Sequence, residues 1–147
     1  HKTVPFIKEL QEIASRTASR HGHIRTLLGR KCRFTLWEPN RWGISTPLPR
    51  DRAEIEYGGD IRRAFTFKAL NRLIQGSAAD QTKKAMLDLY NEGFVPEIQI
   101  HDELDISLEN SQQVDKVKKI MENCVEKLRV PSVVNERGGR TWGEAGK

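Results

Sequence analysis

Apolar residues recur at helical spacing in three parts of the chain and alternate in a fourth. In the first part, Phe6, Ile7, Leu10, Ile13 and Ala14 fall on one side of a helix running to about Arg20. Thr3 is placed to cap it, Pro5 sits in its first turn, and Gly22 is a natural stop. The second part, Ile61 to Asn91, carries a stripe of Ala64, Phe67, Leu70, Ile74, Ala78, Ala85, Met86 and Leu89, and Gly93 follows it. In the third, Ser111 opens a helix with Val114, Val117, Ile120, Met121, Cys124, Val125 and Leu128 inward. Val130–Asn135 then reads as a last strand before a glycine-rich tail.

The alternating stretch runs from Glu97 to Ser107. Ile98, Ile100, Leu104 and Ile106 occupy even positions, as on one face of a hairpin, and His101, Asp102 and Glu103 stand at its tip. Adjacent carboxylates repel each other unless a cation sits between them. Hard oxygen ligands on a tight turn suit Mg²⁺, which takes one or two carboxylates and leaves room for substrate phosphates. Without that cation, the same residues form an ordinary solvated hairpin tip.

Between the first two helices lie two unlike segments. Residues 22–36 read as two short strands turning at Leu28-Gly29, made basic by Arg25, Arg30, Lys31 and Arg33. Such a hairpin is either a protected edge or a phosphate contact. Residues 37–60 lose all periodicity, and Trp37, Trp42, Pro39, Pro47 and Pro49 give an irregular insertion. In the long helix, Gly76-Ser77-Ala78-Ala79 is a small-residue patch that invites close approach of another backbone. Asn71 and Gln75 share a face four residues apart. They are either surface amides or donors to minor-groove acceptors common to all base pairs.

The 147 residues are one domain in length, and a net charge of +5 with pI ≈ 9.4 favours an anionic partner. Cys32 and Cys124 lack metal or disulfide spacing and read as reduced thiols, which points to an intracellular protein. No apolar run reaches membrane-spanning length. His1 is an abrupt start, as in a trimmed or excised piece.

Three of these motifs occur in an order that resembles the C-terminal palm region of family A DNA polymerases, the DNA polymerase I group that includes many phage replicases. They are the Gly22-to-Lys31 hairpin, the helix carrying Asn71-Arg72-Leu73-Ile74-Gln75-Gly76-Ser77-Ala78-Ala79-Asp80, and Ile98-Gln99-Ile100-His101-Asp102-Glu103-Leu104. The resemblance implies an α+β palm fragment: long helices packed on a small antiparallel sheet that carries the His-Asp-Glu hairpin. Its parts would be a helix (1–21), the basic hairpin (22–36), the insertion (37–60), a DNA-tracking helix (61–92), a catalytic hairpin (97–108) and a helix, strand and tail (111–147).

Carried over, Asp102 would be a ligand of a catalytic Mg²⁺ pair with Glu103 assisting, and His101 would lie near the primer terminus. Asn71 and Gln75 would contact the minor groove, and Arg25, Arg30 and Lys31 the backbone phosphates. The partners implied are primer–template DNA, deoxynucleoside triphosphates and a further polymerase part. That part would hold the second metal-binding aspartate and the fingers helix, which have no match here. The chain alone is therefore expected to be inactive, as a split or truncated polymerase would be. The rival reading is a non-catalytic nucleic-acid-binding or assembly module. Glu103 stands where the related phage-type RNA polymerases carry Ser, which favours DNA synthesis.

Overall fold

The computed structural model describes residues 5–41, 43, 45–126 and 128–145. These form two compact units, 1–77 and 78–147, and the division falls inside a long helix.

The first unit opens with α1 (Ile7–His21), which ends as Gly22 takes φ 70° and donates its N–H to Ala18 O. Thr3 lies outside the described residues, and Pro5 precedes the helix instead of entering it. The buried stripe also differs from the expected one. Ala14 and Ala18 pack inward with Ile24, Phe34 and Ala69, whereas Phe6, Leu10 and Ile13 are exposed. Small side chains four residues apart let the helix approach closely, and that contact outweighs the larger apolar residues beside it.

Strands β1 (His23–Arg25) and β2 (Lys31–Arg33) pair antiparallel, and Gly29 turns between them at φ 87°. The region expected to be irregular is instead built of regular elements. β3 (Leu36–Pro39) pairs on one side with β4 (Leu48–Pro49) and on the other with β5 (Ile61–Arg63), and α2 (Arg50–Tyr57) lies against this sheet. Trp37 anchors it, with the Arg50 and Arg63 guanidinium groups 5.2 and 4.5 Å from its ring centre. The Arg63 Nη1 also donates to Phe34 O at 3.0 Å. Asn40 ties the sheet's end to Asp60 through backbone and side chain.

The helix expected from Ile61 starts later. Ile61–Arg63 is strand β5, Phe65 takes φ 61°, and a 3₁₀ turn (Thr66–Lys68) leads into α3 (Ala69–Asn91). Ala64 and Phe67 match the phase of the helical stripe but lie outside α3, and Phe67 is exposed. The helix closes with Gly93 N–H on Tyr90 O and Phe94 N–H on Leu89 O, while Gly93 takes φ 86°. This paired ending needs the left-handed conformation that glycine adopts freely.

In the second unit, β6 (Ile98–Ile100) and β7 (Glu103–Asp105) form a hairpin of their own, with no third strand among the described residues. The expected single sheet carrying this hairpin is thus three separate small antiparallel sheets. α4 (Ser111–Asn123) is capped by Asn110, not Ser111: the Asn110 side chain accepts from Gln113 N–H, and Gln113 Oε1 accepts from Glu109 N–H. Its inner residues join Ala85, Cys124 and Val125, with Met121 and Leu128 alongside. Leu89 is fully buried.

The strand expected at Val130–Asn135 does not form. Pro131 offers no N–H, and the segment is held by side chains: Gln81 donates to Ser132 Oγ at 2.8 Å, and Val134 N–H to Glu122 Oε1 at 3.0 Å. A short α5 (Trp142–Ala145) follows.

Candidate nucleic-acid interface and metal-binding turn

The β6–β7 ladder pairs Ile98 with Asp105, Gln99 with Leu104 and Ile100 with Glu103. Two residues, His101 and Asp102, make the turn, so Glu103 belongs to the strand. A two-residue turn pairs even positions with odd ones. Ile98 and Ile100 therefore share a face with Glu103 and Asp105, while Leu104 lies on the other side with Gln99. The common apolar face expected from the alternation is not formed. Ile98 and Ile100 remain 50% and 39% exposed.

His101 takes φ 54° at the first turn position, a conformation that costs an L-residue about 1 kcal/mol. Gln99 Nε2 donates to His101 O at 3.0 Å and braces the turn. Asp102 and Glu103 are exposed, and among the described residues neither carboxylate has a hydrogen bond or ion pair. Asp105 is half-buried, and its Oδ2 is buried without a hydrogen-bond partner.

Two unpartnered carboxylates on a tight turn are a donor set that Mg²⁺ accepts, with its remaining positions left for water and phosphate. No group of three His, Cys, Asp or Glu side chains suited to a metal occurs among the described residues.

In the first unit, the register of β1 and β2 places His23 opposite Arg33 and Arg25 opposite Lys31. All four lie on one face, and Ile24 and Cys32 lie on the other, with Ile24 in the core. Cations directly opposite across a ladder repel, so this face is improved by an anion. The sequence named Arg25, Lys31 and Arg33 as basic; the register adds His23 to their face. Arg30 differs from its neighbours, because its Nη2 donates to Gly76 O at 3.0 Å. Arg25 Nη1 closes the hairpin's own loop on Gly29 O at 3.0 Å.

Asn71 and Gln75 sit exposed on α3, and neither side chain has an intrachain hydrogen bond among the described residues. The small-residue patch is where the basic hairpin docks. A Cβ at Gly76 would stand 3.0 Å from Thr26 Cγ2 and 3.2 Å from Arg30 Nη2. Leu27 N–H donates to Ser77 Oγ at 2.9 Å. The patch was legible as a place of close approach, but Ser77 and Thr26 themselves carried no signal.

Charge divides between the units. Residues 1–77 hold 15 Lys and Arg against 7 Asp and Glu, a net of +8, and residues 78–147 hold 10 against 13, a net of −3. The basic strand face thus lies in a cationic unit and the carboxylate turn in an acidic one.

A model of DNA polymerase family A matches residues 1–144. The chain belongs to that family. Among family A relatives, a DNA-directed DNA polymerase of Pseudomonas phage M6 is 38% identical over 145 residues, covering 99% of this chain and 18% of the phage protein. The DNA polymerase DpoZ of Salmonella phage PMBT28 is 28% identical over 159 residues, covering all of this chain and 21% of that protein. In structure, the chain is similar to the POL domain of Pol1 from M. smegmatis, solved in complex with DNA primer-template and dNTP. The TM-score is 0.65 with 28% identity, over 95% of this chain and 23% of that one. The chain spans about a fifth of the length of these two phage relatives. No helix among the described residues is long and apolar enough to cross a membrane.

Proposed function

We propose that this chain forms the palm part of a template-directed DNA polymerase, which adds deoxynucleotides to a primer 3′ end by two-metal phosphoryl transfer. The observation that carries the reading is the two-residue reversal at His101-Asp102, which presents Asp102 beside Glu103 with both carboxylates unpartnered among the described residues. Asp102 supplies a metal-ligand oxygen, and Glu103 assists it. Mg²⁺, when bound there, would make the primer hydroxyl a better nucleophile and neutralise charge on the leaving pyrophosphate.

The remaining roles belong to the chain's own side chains. His101, held at the turn, lies against the primer terminus. Asn71 and Gln75 donate to the acceptors that every base pair offers in the minor groove, so they tolerate any sequence and sense mispaired geometry. Arg25 and Lys31 meet backbone phosphates from the cationic hairpin face, joined by His23 and Arg33. Arg30 stands with them but is bonded to Gly76 O, and it holds the hairpin in place.

A second aspartate and a nucleotide-binding fingers helix must come from a further part of the polymerase. Without them the chain binds DNA and does not extend it. Adding that part and assaying primer extension tests the reading. A second reading, a non-catalytic nucleic-acid-binding module, draws on the strand face that gathers His23, Arg25, Lys31 and Arg33. It predicts salt-dependent binding to primer–template with no incorporation after the further part is added.

A further inference from the structure

One cleft of the first unit is left unused by the proposed DNA contacts. It opens between α1 and the 3₁₀ turn, has a volume of ≈ 320 Å³, and is lined by Lys8, Gln11, Glu12, Ser15 and Phe67. The four helix residues recur at three- and four-residue spacing, so α1 turns one wholly polar side into the cleft. None of these four side chains has a hydrogen bond or ion pair among the described residues. Phe67 is the only apolar wall, and it is 62% exposed.

The backbone accounts for the position of that ring. Phe65 takes φ 61°, which is rare for a bulky side chain, and packs against the core of Ala14, Ala18, Ile24, Phe34 and Ala69. Lys68 N–H donates to Phe65 O at 2.9 Å and closes the 3₁₀ turn, leaving Phe67 turned outward. The Lys68 Nζ stands 5.1 Å from the Phe65 ring centre and 5.6 Å from that of Phe67. An aromatic face set opposite unpartnered polar groups is what a nucleobase needs, a flat surface to stack on and bonds for its edge. The Gln11 amide and the Ser15 hydroxyl each donate and accept, and the Glu12 carboxylate accepts from an exocyclic amine. Lys8 and Lys68 bring positive charge for a phosphate, within the cationic unit.

We infer that this cleft is a nucleotide subsite: Phe67 stacks on an unpaired nucleobase, Gln11 and Ser15 hydrogen-bond its edge, and Lys8 meets its phosphate. A paired base hides both its faces and its pairing edge inside the duplex, so only an unpaired one can enter. Within a polymerase part the expected occupant is an unpaired nucleotide of the primer–template; a free nucleotide shares its chemistry. The subsite rests on the proposed DNA-binding role and adds a place for the single-stranded portion, apart from the duplex contacts of Asn71 and Gln75.

The test uses the full chain with two duplexes of one sequence, blunt or with an unpaired 5′ overhang, and with free deoxyadenosine monophosphate. The overhang duplex is expected to bind about tenfold more tightly than the blunt one, the size of one stacked base. Phe67→Leu keeps an apolar side chain without the aromatic face and should erase that preference. Phe67→Trp should keep it, and the emission of the added indole should be quenched as the overhang binds. Phe67 is exposed, so neither change disturbs the core.

Quenching by the overhang alone assigns the cleft to a DNA strand, and equal quenching by the monophosphate assigns it to a free nucleotide. An overhang preference that survives Phe67→Leu overturns the inference, as does the absence of quenching by either probe. If the unsubstituted chain binds neither duplex, the DNA contacts proposed above fail. The monophosphate still reads the cleft in that case, and no quenching by it overturns the subsite as well. If both duplexes bind equally and Phe67→Leu binds them the same, only the subsite fails.

Discussion

Ile100 lies opposite Glu103 across the β6–β7 ladder, and this pairing leaves only His101 and Asp102 to reverse the chain. The turn is therefore as short as a hairpin allows, and its first residue is held at positive φ without being glycine. A side chain kept where glycine would fit better points to a use for that side chain.

Substituting His101 with Gly tests that use. The strain is relieved, so the protein should gain about 1 kcal/mol, read as a higher urea midpoint at unchanged slope. Primer extension by the assembled polymerase should fall at the same time. A stabilised protein with full activity would remove His101 from the primer terminus.

Gln75→Ala should leave folding intact, because the side chain has no intrachain hydrogen bond among the described residues. Extension from a matched primer end should weaken by about fivefold, the size of one lost hydrogen bond. The gap between matched and mismatched ends should narrow with it. Equal kinetics on both ends for the variant and the original protein would make the amide a plain surface group.

The Lys118–Glu136 ion pair sets a pH window for the C-terminal segment. The hydrogen bond between them raises the Lys118 amine above its ordinary pKa and lowers the Glu136 carboxyl below its own. The lowered carboxyl contributes stability that is present above its unfolded value and is lost as pH falls through the folded one. The raised amine contributes stability that is present below its unfolded value and is lost as pH rises through the folded one. Exchange of the Val134 amide, corrected for its intrinsic rate, should be flat between these limits and should accelerate at both ends. Glu136→Gln should abolish the acid limb. Both groups are solvent-exposed, so the effect is local and small.

How much of this was legible depends on which force built each element. The β6–β7 hairpin was legible because its alternation is long and its turn is short. Its buried face was misjudged because the parity of the turn, which no single strand reveals, decides which residues share a side. The 37–60 segment gave no periodic signal for a physical reason. α2 buries only Ala53 and is tied by an Arg50–Glu54 pair at 2.8 Å, while its sheet is pinned by cation–π contacts on Trp37. Contacts of that kind leave no hydrophobic period to read. Phe67 matched the phase of the α3 stripe, and only the backbone at Phe65 shows that the helix has not yet begun. Among the site residues, Asp102, Glu103, Asn71 and Gln75 were named from the sequence. The hydrogen bond from Leu27 to Ser77 was not, because a hydroxyl that bridges fifty residues of chain looks like any other serine.

Primer extension by the assembled polymerase, with Asp102 replaced by Asn, tests the central claim most directly. The substitution preserves shape and removes the charge that a divalent cation needs. Incorporation should fall about a hundred- to thousandfold, as when an electrostatic group aimed at the transition state is lost. Binding of primer–template should persist with an unchanged salt slope. Incorporation at the original rate would contradict the account.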